Sequence, residues 1–139
     1  MTYFEEIRKK GRDTNPFFRL MGIEVGEIRK GEATLSMRVR PDMQNGVGWM
    51  QGAMFTALAD EAMALALYSV LTPQEGIATI SESTSFLKGA RDGRLVAIGR
   101  VVRKGRRVAF AEGEIQREQE DGELLARCTA AFAIIQKQE

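Results

Sequence analysis

Two carboxylates, Asp60 and Glu61, interrupt the most apolar stretch of the chain, Ala53 to Val70. The 139-residue sequence contains no histidine, and its one cysteine is Cys128. A Ser-His-Asp triad, a Cys-His pair and histidine-based metal sites are therefore excluded within one chain. Acid–base or nucleophilic chemistry near neutral pH then falls to a carboxylate. The helical neighbours of Asp60 at three and four residues are Thr56, Ala57, Met63 and Ala64, none of them charged. A carboxylate in that setting is either solvated in a cleft or buried at a cost of several kcal/mol. By spacing alone, Asp60 and Glu61 read equally as a short polar stripe facing water or a subunit partner.

The residues just before this stretch add a second chemical feature. Asn45-Gly-Val-Gly-Trp-Met-Gln-Gly-Ala53 is a glycine-rich loop running into the start of a helix. The first helical amides, near Gln51, Gly52 and Ala53, have no intrahelical acceptor. With the helix dipole they favour negative charge, either a phosphate or an oxyanion developing on a carbonyl. Gly52, lacking a Cβ, lets a ligand come close to the backbone.

The elements that must position these groups follow from patterning. With 44% hydrophobic residues the chain suits one globular domain over 1–139, with 1–16 as an N-terminal helical extension. Net charge is +1 with interleaved signs, which argues against a nucleic-acid partner. Met1 to Asp13 is polar and charged, so neither a signal peptide nor an anchor is expected. Asp60 and Glu61 would be costly in lipid, so no membrane partner is expected and Gln51 to Val70 reads as a buried helix, ended by Thr72-Pro73. Thr2 to Arg12 reads as a polar amphipathic helix, followed by a short segment Phe17 to Met21. Strands are predicted at Ile23–Arg29, Ala33–Val39, Gly76–Leu87, Arg94–Arg103, Arg107–Arg117 and Leu124–Gln136. Short connections among the last four predict that consecutive strands are antiparallel hairpin partners. The fold class is α+β, a sheet of six antiparallel strands curled around one long helix. The polar stretch Thr79 to Ser85 suggests pairing with another subunit.

Asn45, Gln51-Gly52-Ala53 and Asp60 together resemble the motif of hotdog-fold thioesterases of the phenylacetate-pathway type. In that motif an Asn and a Gly-containing loop precede His-Gly-Gly, with an acidic residue eight positions after the first of those glycines. The likeness extends through Thr79–Phe86, Gly89–Gly93, Arg103–Ile115 and Asp121–Cys128, and so covers roughly Phe17 to Ile135. It implies a hotdog fold and an acyl-CoA thioesterase, a hydrolase releasing free acid and CoA. Asp60 matches the family's carboxylate, acting as general base on water or as nucleophile. Gly52 matches the glycine whose amide polarises the thioester carbonyl. Asn45 matches the loop asparagine that helps hold the carbonyl or the water from the neighbouring subunit's side. Thr79 falls where relatives carry a hydroxyl that orients water. Arg103, Lys104 and Arg106 become candidates for the CoA nucleotide and phosphates, with a solvated hairpin tip as the alternative for each.

The resemblance also implies a cytoplasmic protein, a homodimer at minimum with a homotetramer expected, and no cofactor or metal, coenzyme A being part of the substrate. One cysteine, unable to form an internal disulfide, fits that compartment. Two departures stand out. Gln51 occupies the family's histidine position, where it donates a hydrogen bond but does not titrate, and Ala53 replaces the second glycine. A non-catalytic acyl-CoA-binding or regulatory protein on the same fold is the alternative that Gln51 favours; the carboxylate at 60 favours the enzyme. Cys128, on the apolar face of its strand and with no histidine to activate it, reads as a buried structural thiol. Trp49, Met50, Phe17 and Phe18 read either as tunnel walls or as packing.

Overall fold

The computed structural model describes residues 1–119 and 121–137. Helix α1 spans Tyr3–Lys10 and begins with a capping box. There the Glu5 amide donates to the Thr2 hydroxyl and the Thr2 amide donates to the Glu5 carboxylate. A turn of 3₁₀ helix, Gly11–Thr14, leads to helix α2, Pro16–Met21. Asn15 caps α2 by accepting from the amides of Phe17 and Phe18, and its side-chain NH2 donates to the Tyr3 hydroxyl at 2.8 Å. These contacts brace the N-terminal segment internally, and Ile7 and Phe18, fully buried, anchor it in the core.

Strands β1 (Glu24–Arg29) and β2 (Glu32–Arg38) form the expected hairpin, with Ala33, Leu35 and Met37 buried in alternation. Helix α3 spans Gly52–Tyr68, and β3 to β6 cover Glu75–Phe86, Arg94–Lys104, Val108–Arg117 and Leu124–Gln136. The strand bounds lie within about one residue of expectation. Helix α3 is shorter than expected at its C-terminal end, because the Ser69 hydroxyl donates to the Ala66 carbonyl at 2.6 Å and the Val70 and Leu71 amides donate to the carbonyls three residues back. Thr72-Pro73 therefore lies beyond the end of the helix rather than at it.

All pairings in the sheet are antiparallel, in the order β1-β2-β4-β5-β6-β3. This corrects one expectation: β3 and β4 are consecutive but not partners. The segment between them carries no tight turn. Leu87 and Lys88 donate to the Leu125 carbonyl, and the Ala90 carbonyl accepts from Met50, so the chain crosses the end of α3 from one part of the sheet to another. Strand β4 takes the centre because it can accept a helix. Gly99 of β4 stands directly opposite Gly113 of β5, and α3 rests on this bare pair. A Cβ on Gly99 would lie 2.4 Å from the Ala62 carbonyl group, and one on Gly113 would lie 3.3 Å from Met63. The sheet curls around α3 in the hotdog arrangement, and Leu58, Ala62, Met63, Ala66 and Leu67 are lost to solvent.

Strand β3 is an edge strand, bonded among the described residues on one side only, to β6. On the outer face of the sheet Ile80, Val102, Phe110 and Ile135 remain about half exposed or more. No helix among the described residues is long and apolar enough to cross a membrane.

Candidate active site

The β3–β6 register contains one irregularity that decides what β3 offers to α3. Thr79 stands opposite Phe132, and Ser81 stands opposite Ala131, so Ile80 is an extra residue. Residues directly opposite share a face of the sheet. Before the bulge, Ile77 and Thr79 therefore face inward with Ile134 and Phe132. After it, Glu82, Thr84 and Phe86 face inward with Ala130, Cys128 and Ala126. Without the extra residue, Thr79 and Glu82 would fall on opposite faces.

On the facing helix, Thr56 and Asp60 lie one turn apart and look toward this strand. The Thr56 and Thr84 hydroxyls are 2.8 Å apart, and Thr84 also donates to the Cys128 sulfur at 3.4 Å. The Thr79 hydroxyl donates to Asp60 Oδ1 at 3.1 Å. Two residues singled out from sequence thus meet, and Asp60 is half-buried. No lysine or arginine pairs with Asp60 among the described residues.

Glu82 shares this space, and the sequence alone did not single it out. Its carboxyl is pushed up to about 8, first by burial, then by a hydrogen bond with Asp60 and by the charges of Asp60 and Glu61. Glu61 turns the other way, toward Tyr3 and Tyr68. Burial, and then the Asp60 charge, raise it to about 7. Burial and Glu61 in turn raise the Tyr68 phenol. A cavity of about 330 Å³ lies here, lined by Tyr3, Asn15, Glu61, Tyr68, Thr79 and Phe132.

The remaining residues gather at the start of α3. Asn45 organises its own loop: its Oδ1 accepts from the amides of Val47 and Trp49 at 3.0 and 3.1 Å. Gln51 is exposed and makes no cap to the helix, and the Gly52 and Ala53 amides find no acceptor among the described residues. The Phe86 ring packs against Gly52. Asn45 and Gln51 both border a groove of about 600 Å³ with Leu20, Arg40 and Met54. Trp49 carries the Arg91 guanidinium 4.0 Å over its ring.

Eight residues of helix separate Gly52 from Asp60, a rise of about 12 Å. An amide and a carboxylate that far apart do not reach one carbonyl carbon together. Arg103 and Lys104 lie at the end of β4, and Arg106 in the turn after it. Lys104 is paired with Glu75 at 3.1 Å, at the end of β3 opposite Phe86 and Gly52. Arg103 and Arg106 are exposed. Met50 and Phe18 belong to the core, and Phe17 packs against it. Cys128 is buried, and burial above all raises its thiol, as expected of a structural cysteine. No cluster of three His, Cys, Asp or Glu side chains among the described residues is placed to hold a metal ion.

Residues 48–123, just over half of the chain, match the family model of the thioesterase superfamily. The chain belongs to that superfamily. This thioesterase is 23% identical over 111 residues to 1,4-dihydroxy-2-naphthoyl-CoA hydrolase of Listeria monocytogenes, covering 80% of this chain and 90% of the relative. A phenylacetic acid degradation-related protein of Ralstonia eutropha has a solved structure that superposes with a TM-score of 0.84 at 25% identity, covering 95% and 99% of the two chains. A thioesterase family protein of Silicibacter pomeroyi superposes at 0.85 with 20% identity, covering 97% and 99%. The phenylacetate-pathway resemblance and the hotdog fold hold, and the thioesterase is a thioester hydrolase.

Proposed function

We propose that this enzyme hydrolyses an acyl-CoA thioester, with Asp60 as the group that activates water or attacks the carbonyl carbon. The observation that carries the reading is the Asp60 carboxylate itself, half-buried, free of any cationic partner among the described residues and held by Thr79 at 3.1 Å. A carboxylate so held serves as a general base or nucleophile. Thr79 orients it and the water beside it. The Gly52 amide, at an uncapped helix start, polarises the carbonyl, and Gln51 and the Asn45 side-chain amide donate hydrogen bonds beside it.

Because Gly52 and Asp60 on one helix are about 12 Å apart, each site takes Asp60 and Thr79 from one protomer and Gly52, Gln51 and Asn45 from its partner. The unpaired edge of β3 supplies the seam of a homodimer, and the exposed apolar face around Val102 and Phe110 suits a tetramer of two dimers. In such an assembly Arg103 and Arg106, with Lys104 beside them, take the CoA phosphates of a neighbouring subunit's site. The relative acting on a dihydroxynaphthoyl-CoA favours an aromatic acyl group, for which the cavity between Tyr3, Tyr68 and Phe132 has the lining. A cytoplasmic setting supplies CoA esters and keeps Cys128 reduced. Water is the only co-reactant the reaction needs.

The test supplies short, medium and aromatic acyl-CoAs and follows release of free thiol, with the assembly's mass measured in parallel. The wild type is expected to hydrolyse at least one of them, and Asp60→Asn to lower the rate by ~10²-fold or more. Binding of CoA esters without turnover across the panel would instead favour a non-catalytic binding protein. Full activity in Asp60→Asn would remove Asp60 from the mechanism.

A further inference from the structure

We propose that Glu82 is a positioning residue for Asp60: brought inward by the bulge at Ile80, its carboxylic acid donates the hydrogen bond that holds the Asp60 carboxylate in its working orientation. The proposal rests on the thioesterase reading of Asp60 and adds a second carboxylate to it.

Geometry carries the case. The extra residue at Ile80 puts Thr79 and Glu82 on the same side of β3, and the contacts on either side bracket Glu82. Thr79, on one side of it, bonds Asp60 at 3.1 Å; Thr84, on the other, lies 2.8 Å from Thr56, one helical turn before Asp60. Glu82, between them on the inward side of β3, faces the Asp60 turn of α3. Two carboxylates forced together do not both ionise readily, so one retains a proton and hydrogen-bonds the other. Glu82 is the one that retains it, since its carboxyl lies near 8. Asp60 thereby has two donors, the Thr79 hydroxyl and the Glu82 acid.

The surrounding groups support this division. On α3 Asp60 faces Glu82; Glu61, turned toward Tyr3 and Tyr68, acts on it only through its charge, and both disfavour the charged form of Glu82. On β6 the nearest titratable group is Cys128, whose raised thiol stays neutral over the same range. On β5 the inward position in line with Glu82, across Ala130, is Ala111, and Glu112 alternates to the exposed face. No cation contributes to its setting among the described residues. In a chain without histidine, the proton on Glu82 makes this hydrogen bond sensitive to pH in the neutral-to-alkaline range. When Glu82 releases it, the hydrogen bond becomes a repulsion between two anions.

The experiment compares wild type, Glu82→Gln and Glu82→Ala by thiol release from one acyl-CoA, with kcat and KM taken from about pH 5.5 to 9.5. Carboxyl ¹³C NMR titration of the substrate-free proteins, with Asp60→Asn for assignment, runs beside it. Wild-type kcat should fall as pH rises past about 8. Glu82→Gln, whose amide still donates, should stay within about threefold at pH 7 and lose that alkaline decline. Glu82→Ala should lose roughly tenfold in kcat with KM little changed, as for a hydrogen bond to a charged group. A Glu82→Gln profile with the wild-type decline, or a fully active Glu82→Ala, overturns the proposal while leaving the hydrolase reading intact. Glu82 titrating in the ordinary carboxylate range, unaffected by Asp60→Asn, overturns it whatever the turnover. If no acyl-CoA is hydrolysed but the Glu82 titration moves down in Asp60→Asn, the shared proton stands and the hydrolase reading fails.

Discussion

Replacing Gly99 by alanine should disturb stability and turnover through one displacement. A Cβ at this position would sit 2.4 Å from both the carbon and the oxygen of the Ala62 carbonyl and 2.5 Å from the Met63 amide nitrogen. Carbon atoms in contact prefer about 3.5–4.0 Å, so helix and strand must part by about 1 Å. The obstacle is backbone in the middle of a 17-residue helix, with no flexible side chain to swing aside. Overpacking of this kind costs about 1–3 kcal/mol, and the upper end applies here. For a chain of this size that lowers the melting temperature by roughly 10 °C. Ala62 is only two residues from Asp60, so the same shift carries the 3.1 Å Thr79–Asp60 contact beyond hydrogen-bond range. Misplacement by about 1 Å can cost on the order of 10²-fold in rate. Thermal unfolding followed by circular dichroism, then thiol release well below the melting temperature, reads both effects. Gly76→Ala is the control, because its new Cβ would meet nothing closer than 3.8 Å among the described residues. A Gly99→Ala protein that melts with the wild type, or that melts early yet turns over at the wild-type rate, would refute the reasoning.

Two further outcomes follow from the same contacts. Thr79→Ala should lower kcat roughly tenfold while Thr79→Ser restores it to within about threefold, as the hydroxyl and not the methyl meets Asp60; equal rates for the two variants would assign the hydroxyl no part. Glu61, raised to about 7, keeps its proton in the folded chain over a range in which the unfolded chain, at about 4.5, has released it. The folded state therefore binds more protons between these values, and stability falls as pH rises from about 4.5 to 7. Urea unfolding midpoints should show a shallower fall over that window in Glu61→Gln than in the wild type.

Most of the fold was legible because its signals are local. Alternation marked β2 and β6, and uniform hydrophobicity marked α3 as a helix wrapped by protein. The partner of β3 was not legible: pairing β3 with β6 skips two intervening strands, and no local pattern encodes so distant a choice. Glu82 escaped for a related reason. From Thr79 to Ser85 the strand is Thr-Ile-Ser-Glu-Ser-Thr-Ser, polar on both faces, so alternation carries no inside-or-outside information and the bulge leaves no mark. Asn45 was legible as a loop residue near the chemistry, but its role in folding the loop back on itself emerges only from the hydrogen bonds at Val47 and Trp49.

The extra residue at Ile80 means that β3 is written in two reading frames. Positions up to Thr79 are odd-numbered when they face the helix, and positions from Glu82 onward are even-numbered. Chain length at one point, rather than the identity of any side chain, is what lets both residues address Asp60. Deleting Ile80 would leave every polar side chain of the site in the protein and still rotate Thr79 or Glu82 out to solvent. A relative that carries the same residues but counts one fewer between them would share the alphabet of this site without its grammar.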